Sequence, residues 1–364
     1  MLFHPFEIAF CGYSGSGKTT LVAALVRSLT EKYTIAYYKH GCHRFDIDRE
    51  GKDSWILRQA GAGTVMIDDP EKQAIITDHR SGTGRLEHQA FIDSDLLFVE
   101  GLKELPVQKL ILVDSDHRIL ELIRNGTLKS VAALIVPDDP GYYAEFGMPV
   151  YRRDSIHEIA GFIETLLLER SSKDVPLFGL VLAGGRSSRM GSDKALIEYH
   201  TANQLEHTAA LLQKRCSNVF VSCRREQADT YAPFGIPLIT DRYLEIGPMG
   251  GLLSAWQTNP GAAWVIAACD MPFLDAETVR QLCEHRNRLR FATVFRNPES
   301  KGIEPLFACY EPKSRTRLFE RHLEGNNSLA SFLKESRIEE LTPPGGFVLQ
   351  NINDAEGRQA QPTR

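Results

Sequence analysis

Short, nearly unbroken apolar runs alternate along this chain with longer amphipathic stretches. In the first half, FEIAFC (6–11), TIAYYK (34–39), TVMI (64–67), QAIIT (73–77), DLLFVE (95–100), KLILV (109–113) and VAALIV (131–136) read as strands. KTTLVAALVRSLTEK (18–32) reads as a helix. Strands that are apolar on both faces need cover on both faces, so the series predicts a largely parallel sheet between helical layers. SIHEIAGFIETLLLER (155–170) closes the half as a helix, with Ser155 and Glu158 spaced as a capping box. The polar stretch SSKDVP (171–176) predicts a linker.

Beyond it the alternation restarts. LFGLVLA (177–183), NVFVS (218–222), IPLIT (236–240), AWVIAA (263–268), FATVF (291–295) and PLFACY (305–310) read as strands. NQLEHTAALLQK (203–214), GGLLSAWQ (250–257), AETVRQLCEHR (276–286) and SRTRLFERHLE (314–324) read as helices. The fold class is therefore α/β, with two domains in series over 1–170 and 177–355.

Composition narrows the picture only a little. Hydrophobic residues at 43% and charged residues at 24% suit ordinary folded cores. A net charge of −5 and the lack of a basic run predict no nucleic-acid or membrane-surface partner. Seven cysteines without a CxxC pair read as reduced thiols of a cytoplasmic protein. No apolar stretch approaches a membrane span, and nothing here decides between a monomer and an oligomer.

The chemistry is concentrated in two glycine-rich loops. GYSGSGKTT (12–20) matches GxxxxGK[ST] between a strand and a helix. Glycines let successive N–H groups turn toward phosphate oxygens, Lys18 reaches the terminal phosphates, and the Thr19 hydroxyl is a Mg²⁺ ligand. The expected nucleotide site is Gly12, Gly15, Gly17, Lys18, Thr19 and Thr20, on the positive end of a helix. Glu100, at the tip of LLFVE, is the candidate acidic partner of the metal and its water. The loop from Lys39 to Asp53 gathers His40, His43, Asp46, Asp48 and Lys52 around Cys42. It reads as a phosphate-sensing or partner-binding loop, a metal site, or plain solvated surface.

LAGGRSSRMGSDK (182–194) is neither a second P-loop nor a dinucleotide fingerprint, because Gly184 and Gly185 adjoin and the next glycine is Gly191. A strand opening into Gly-Gly and then Arg186, Arg189 and Lys194 predicts a basic loop that folds over a triphosphate. Its cations suit a pyrophosphate leaving group, which makes Arg189 and Lys194 catalytic candidates. Asp270 in CDMPF, just past a buried strand, is the candidate Mg²⁺ ligand, with the following helix capped by Asp275. Asp241 ends another strand and is a candidate for the nucleoside. GPMGG (247–251) is expected to let backbone approach a flat base.

Residues 5–170 resemble the molybdopterin-guanine dinucleotide biosynthesis adapter family, through the P-loop, YYKHGCH with its following aspartates and GKDS, and LLFVEGLK, in that order. The resemblance implies a GTP-binding domain with feeble hydrolysis that assists a partner enzyme. Residues 177–355 resemble the molybdenum cofactor guanylyltransferases through LAGGRSSRMGSDK, TD, GPMGGL, CDMPF and NIN. That resemblance implies transfer of GMP from GTP to molybdopterin cofactor, with Mg²⁺. It implies that Leu182, Ala183 and Gly184 meet the base, Lys194 the phosphates and Asp241 the nucleotide. Asp270 would hold the metal, and Asn351 and Asn353 the pterin side. Ser222 stands where that family often has asparagine near the guanine. Implied partners are the molybdenum insertion protein and target molybdoenzymes or their chaperones. Two other functions fit the residues: a nucleotidyltransferase using CTP or a sugar phosphate, and a P-loop switch fused to an inactive transferase domain.

Overall fold

The computed structural model describes residues 3–40, 48–77, 85–104, 106–184, 194–197, 203–297, 302–345 and 349. The chain divides into two compact units, 1–163 and 164–364.

In the first unit the strands are β1 (Glu7–Cys11), β2 (Ile35–Lys39), β3 (Thr64–Asp68), β4 (Gln73–Thr77), β5 (Leu96–Glu100), β6 (Lys109–Leu112), β7 (Val131–Val136) and β8 (Val150–Arg152). The helices are α1 (Lys18–Leu29), α2 (Asp53–Gln59), α3 (Arg85–Phe91) and α4 (Arg118–Arg124), and α5 (Ile156–Asp174) runs across the boundary between the units. Six strands form one sheet in the order β2-β5-β1-β6-β7-β8, every adjacent pair parallel. Every residue of β1, β5 and β6 is buried, as expected for strands covered on both faces.

Two expectations fail. The runs at 64–67 and 73–77 are strands, but β3 and β4 pair only with each other, antiparallel, outside the main sheet. Only four residues separate them, too few for a parallel crossover, and Met66, Ile67 and Ile75 are left exposed. The polar segment 171–174 is helical rather than a loop, since α5 runs on to Asp174. None of its residues is a helix breaker before Pro176, so polarity alone did not end the helix.

In the second unit the strands are β9 (Leu177–Leu182), β10 (Asn218–Cys223), β11 (Leu238–Thr240), β12 (Ala263–Ala268), β13 (Ala292–Arg296), β14 (Ile303–Tyr310) and β15 (Ile338–Leu341). The helices are α6 (Gln204–Gln213), α7 (Ala228–Tyr231), α8 (Pro248–Thr258), α9 (Ala276–Glu284), α10 (Pro312–Leu323) and α11 (Leu329–Glu335). The sheet runs β11-β10-β9-β12-β14-β13-β15. β14 is antiparallel to both β12 and β13, and the other pairs are parallel. Phe178, Phe220 and Trp264 pack edge to ring on one face, with centroids 5.4–5.7 Å apart.

Both sheets reverse direction at their first strand. β1 lies between β5 and β6, and β9 lies between β10 and β12. The carboxyl end of such a strand opens onto a crevice, because the following connections leave in opposite directions. Each glycine-rich loop starts there.

Candidate functional sites

β1 delivers the chain into the P-loop at Gly12, which is buried. A Cβ at Gly12 would stand 2.5 Å from the Ser16 hydroxyl, so the curl of the loop leaves no room for a side chain. Gly15 and Gly17 both adopt positive φ, 79° and 83°. Those turns bring the start of α1 beneath the loop. Lys18 Nζ donates to the carbonyls of Tyr13 (2.8 Å) and Gly12 (3.1 Å), so its ammonium closes over the loop where phosphate oxygens would compete for it. Burial pulls the Lys18 pKa below its usual range, and the negative charge of Glu100 opposes that shift.

Glu100 is the last residue of β5 and is buried. Its Oε2 accepts from Tyr37 Oη (2.7 Å) and Thr19 Oγ1 (3.3 Å), and Lys39 Nζ lies 3.7 Å from Oε1. A hydroxyl and a carboxylate side by side form a hard oxygen pair of the kind Mg²⁺ takes alongside phosphate and water. Thr20 follows on α1 and is exposed. In the Lys39–Asp53 loop, Asp48 Oδ1 accepts from Ser54 Oγ at the start of α2 (2.6 Å), while Cys42, His43 and Asp46 lie outside the described residues.

In the second unit an open cavity of about 760 Å³ lies at the carboxyl ends of β9, β10 and β12. Leu182, Ala183, Gly184, Ser222, Asp241 and Asp270 all line it, although they come from four separate stretches of sequence. Asp241 Oδ2 would stand 2.6 Å from a Cβ on Gly184, so the glycine loop rests against the carboxylate. Ser222, almost fully buried, donates through Oγ to Asp241 Oδ1 (2.6 Å). Burial raises the Asp241 pKa, while the Ser222 hydrogen bond and the Arg224 charge oppose the rise.

Two glycines of GPMGG are also required by the protein's own packing. A Cβ on Gly250 would collide with the Tyr243 carbonyl, and one on Gly251 with the Ser222 hydroxyl and Leu182. The close approach is of α8 to the protein's own β9, β10 and the 241–247 segment. Gly247, Pro248 and Gly251 still border the cavity.

Asp270 follows β12 in a turn, ahead of α9, whose N-terminus is capped by Asp275 accepting from Thr278 N (2.8 Å). Sequence reasoning missed Glu304, on β14. In the antiparallel pairing Ala267 faces Phe307, and Glu304 lies three residues before Phe307 on the same strand. Glu304 is buried, and its pKa is raised by burial and then by the negative charge of Asp270. A buried carboxylate beside the half-buried Asp270 makes a donor set suited to a divalent cation. Among the described residues no group of three or more His, Cys, Asp or Glu converges, so such a cation would complete its shell from phosphate and water. Arg224 and Gln227 were also missed. Arg224 Nε donates to the Gly184 carbonyl (2.8 Å) and Gln227 Nε2 to that of Ala183 (3.4 Å), which fixes the loop's entry. An alternating apolar strand gives no sign that the residues after it reach back in this way.

Lys194 opens a short 3₁₀ turn, Lys194–Leu196. Arg186, Arg189, Asn351 and Asn353 lie outside the described residues.

Two nucleotide-site architectures in series define the class: a P-loop unit followed by a nucleotidyltransferase-type α/β unit. The family model for molybdopterin guanine dinucleotide synthesis protein B matches residues 7–136, and that for the MobA-like NTP transferase domain matches 179–341. The molybdopterin-guanine dinucleotide biosynthesis adapter protein of Haemophilus influenzae is 32% identical over 164 residues, 44% of this chain and 88% of that protein. A probable molybdenum cofactor guanylyltransferase of Carboxydothermus hydrogenoformans is 35% identical over 144 residues, 39% of this chain and 69% of that protein. A molybdenum cofactor biosynthesis bifunctional protein of Synechocystis is 32% identical over 197 residues, 53% of this chain. The chain spans 57% of the length of that bifunctional relative. The chain thus belongs to the synthesis protein B family in its first half and to the MobA-like NTP transferase family in its second.

Proposed function

We propose that the second domain, 177–355, transfers GMP from GTP to molybdenum-bearing molybdopterin cofactor, releasing pyrophosphate and giving the guanine dinucleotide cofactor. The first domain, 1–170, is a GTP-binding adapter with weak hydrolysis. One observation carries the reading: Leu182–Gly184, Asp241 and Asp270 border a single cavity at the switch point of a sheet whose family is that of the transferases.

In this reading Leu182, Ala183 and Gly184 meet the base through their backbone, and Asp241, oriented by Ser222, holds the nucleoside. Arg189 and Lys194 close over the triphosphate and stabilise the departing charge. Asp270 would hold Mg²⁺, which would supply neutralisation of phosphate charge when bound. The terminal phosphate oxygen of the pterin attacks the α-phosphorus, the bond from that phosphorus to the bridging oxygen breaks, and pyrophosphate leaves. The attacking oxygen is already anionic at neutral pH, so no side chain has to remove a proton, and the residues act by positioning and charge. Asn351 and Asn353 hold the pterin side. In the first domain Gly12, Gly15, Gly17, Lys18 and Thr20 cradle GTP, with Thr19 and Glu100 at its metal. The proposed setting is the cytoplasm, with the molybdenum insertion protein and target molybdoenzymes or their chaperones as partners.

Mass spectrometry of the product formed from molybdenum-bearing molybdopterin, Mg²⁺ and either GTP, ATP or CTP tests this. A guanine adduct with stoichiometric pyrophosphate is expected. A cytidine adduct in larger yield, or no adduct from any nucleotide, would refute the assignment.

A further inference from the structure

The side chain of Arg153 reaches the P-loop from the far edge of the first sheet. It follows β8, and its main chain is held by N–H donation to the Val136 carbonyl (2.9 Å). Its guanidinium donates through Nη2 to the Val113 carbonyl, beyond β6 (3.1 Å). From there it lies along Gly17: Nη1, Cδ and Cζ stand 3.2, 3.5 and 3.7 Å from where a Cβ would be. Its Nε is buried and has no hydrogen-bond partner among the described residues. Gly17 is thus required twice, by its φ of 83° and by the arginine beside it.

The loop is polarised. Thr19, Glu100, Tyr37 and Lys39 occupy its β5–β2 side, which would be the metal and terminal-phosphate end. In the proposed reading, a nucleotide with its terminal phosphates at Lys18 and Thr19 would carry its nucleoside toward the β6–β8 side. That is the side from which Arg153 comes. A guanidinium pinned by one edge presents a preorganised flat face, and such faces stack on purine rings.

We infer that Arg153 is the nucleoside-contacting residue of the first site, its guanidinium plane packed against the purine. The inference rests on the reading of the first half as a nucleotide-binding domain. It assigns specificity for a ring rather than for phosphate to a residue outside the P-loop motif.

Calorimetric titration of the full chain with GTP and GDP isolates the first site as the binding lost in Lys18→Ala. Absence of any Lys18-dependent binding in the wild type would refute the domain reading, and with it the inference. Given that binding, Arg153→Ala and Arg153→Lys are both expected to weaken GTP and GDP by the same factor, roughly five- to thirtyfold. Competition by inorganic tripolyphosphate at that site should be unchanged in both variants. Unaltered GTP affinity in Arg153→Ala would overturn the inference. So would an equal loss for tripolyphosphate, which would mean that the arginine braces the loop through Val113 and Gly17. Restoration by lysine would overturn it too, since a point charge would then suffice.

Discussion

Around the first glycine loop Lys18, Lys39 and Arg153 accompany Glu100, which is tied to Thr19 and Tyr37, while Lys103 and Arg118 lie over the Tyr13 ring. Around the second, Asp241, Asp270 and nearby Glu304 stand in or beside the cavity with Arg224 as the described counter-charge. A polyanion meets a ready cradle in one and unfavourable charge in the other. In the proposed reading, a divalent cation and the arginines and lysine of 186–194 would supply the positive charge that the described carboxylates of the second site call for. A site whose affinity waits on added positive charge would suit a reaction. A site with its cations already in place, beside the Thr19 and Glu100 pair suited to a metal, would suit a switch or an adapter.

The sharpest break in that contrast is Asp270→Asn. Loss of the charged metal ligand should lower transfer roughly a hundred- to a thousandfold, with nucleotide binding at the first site unchanged. Steady-state pyrophosphate release at limiting Mg²⁺ measures it, and near wild-type turnover would remove Asp270 from the metal site. Lys18→Ala should act on the other side of the comparison alone. A lost charge-assisted contact should weaken first-site GTP roughly ten- to a hundredfold, and transfer at saturating substrates should stay constant. A parallel fall in transfer would mean that the two sites are coupled.

Base selection at the second site should be of similar or smaller size. GTP is expected to bind roughly ten- to a hundredfold more tightly than ATP, because an adenine leaves buried partners unpaired. Ser222→Ala should cost less, within about tenfold, since Ser222 spends its proton on Asp241 and acts through that carboxylate. Competition titrations separate these outcomes, and a larger loss in Ser222→Ala would place the hydroxyl on the base itself.

The smallest effect is on stability. Burial raises the Asp241 pKa, so the folded state holds that proton more tightly than the unfolded chain does. The ionised side chain then costs stability at neutral pH, and the cost disappears as pH falls through the raised folded value toward the ordinary carboxylate range. Asp241→Asn should raise the melting temperature by a few degrees at most near pH 7.5, with the gain shrinking on acidification. A variant that melts lower than wild type at neutral pH would show that the carboxylate is a net stabiliser.

Legibility in the sequence followed the range of the interactions. β1, α1 and the P-loop glycines were readable because their requirements are local: an apolar strand, positive φ, and a helix starting at Lys18. The strands at 64–68 and 73–77 were readable as strands but not as an isolated hairpin, because hydrophobicity does not say which neighbour a strand will find. The four-residue gap between them was the overlooked signal. β15 and α11 were missed, since ESRIEEL and SLASFLKE carry weak periodic patterns whose burial comes from β13 and β14.

The same division holds at the sites. The sequence by itself determined that two α/β units follow one another, that each begins with a strand and a glycine loop, and that lysine and carboxylate residues stand at strand ends. Those properties come from composition and spacing over a few residues. Tertiary structure decided what such spacing cannot express. It brought Glu304 within reach of the Asp270 charge, turned Ser222 onto Asp241, fitted Gly250 and Gly251 against the protein's own backbone and side chains, and carried Arg153 from just past the last strand of its sheet to Gly17. Each of these joins residues whose separation along the chain bears no relation to their separation in space, because sheet order, not chain order, sets who meets whom.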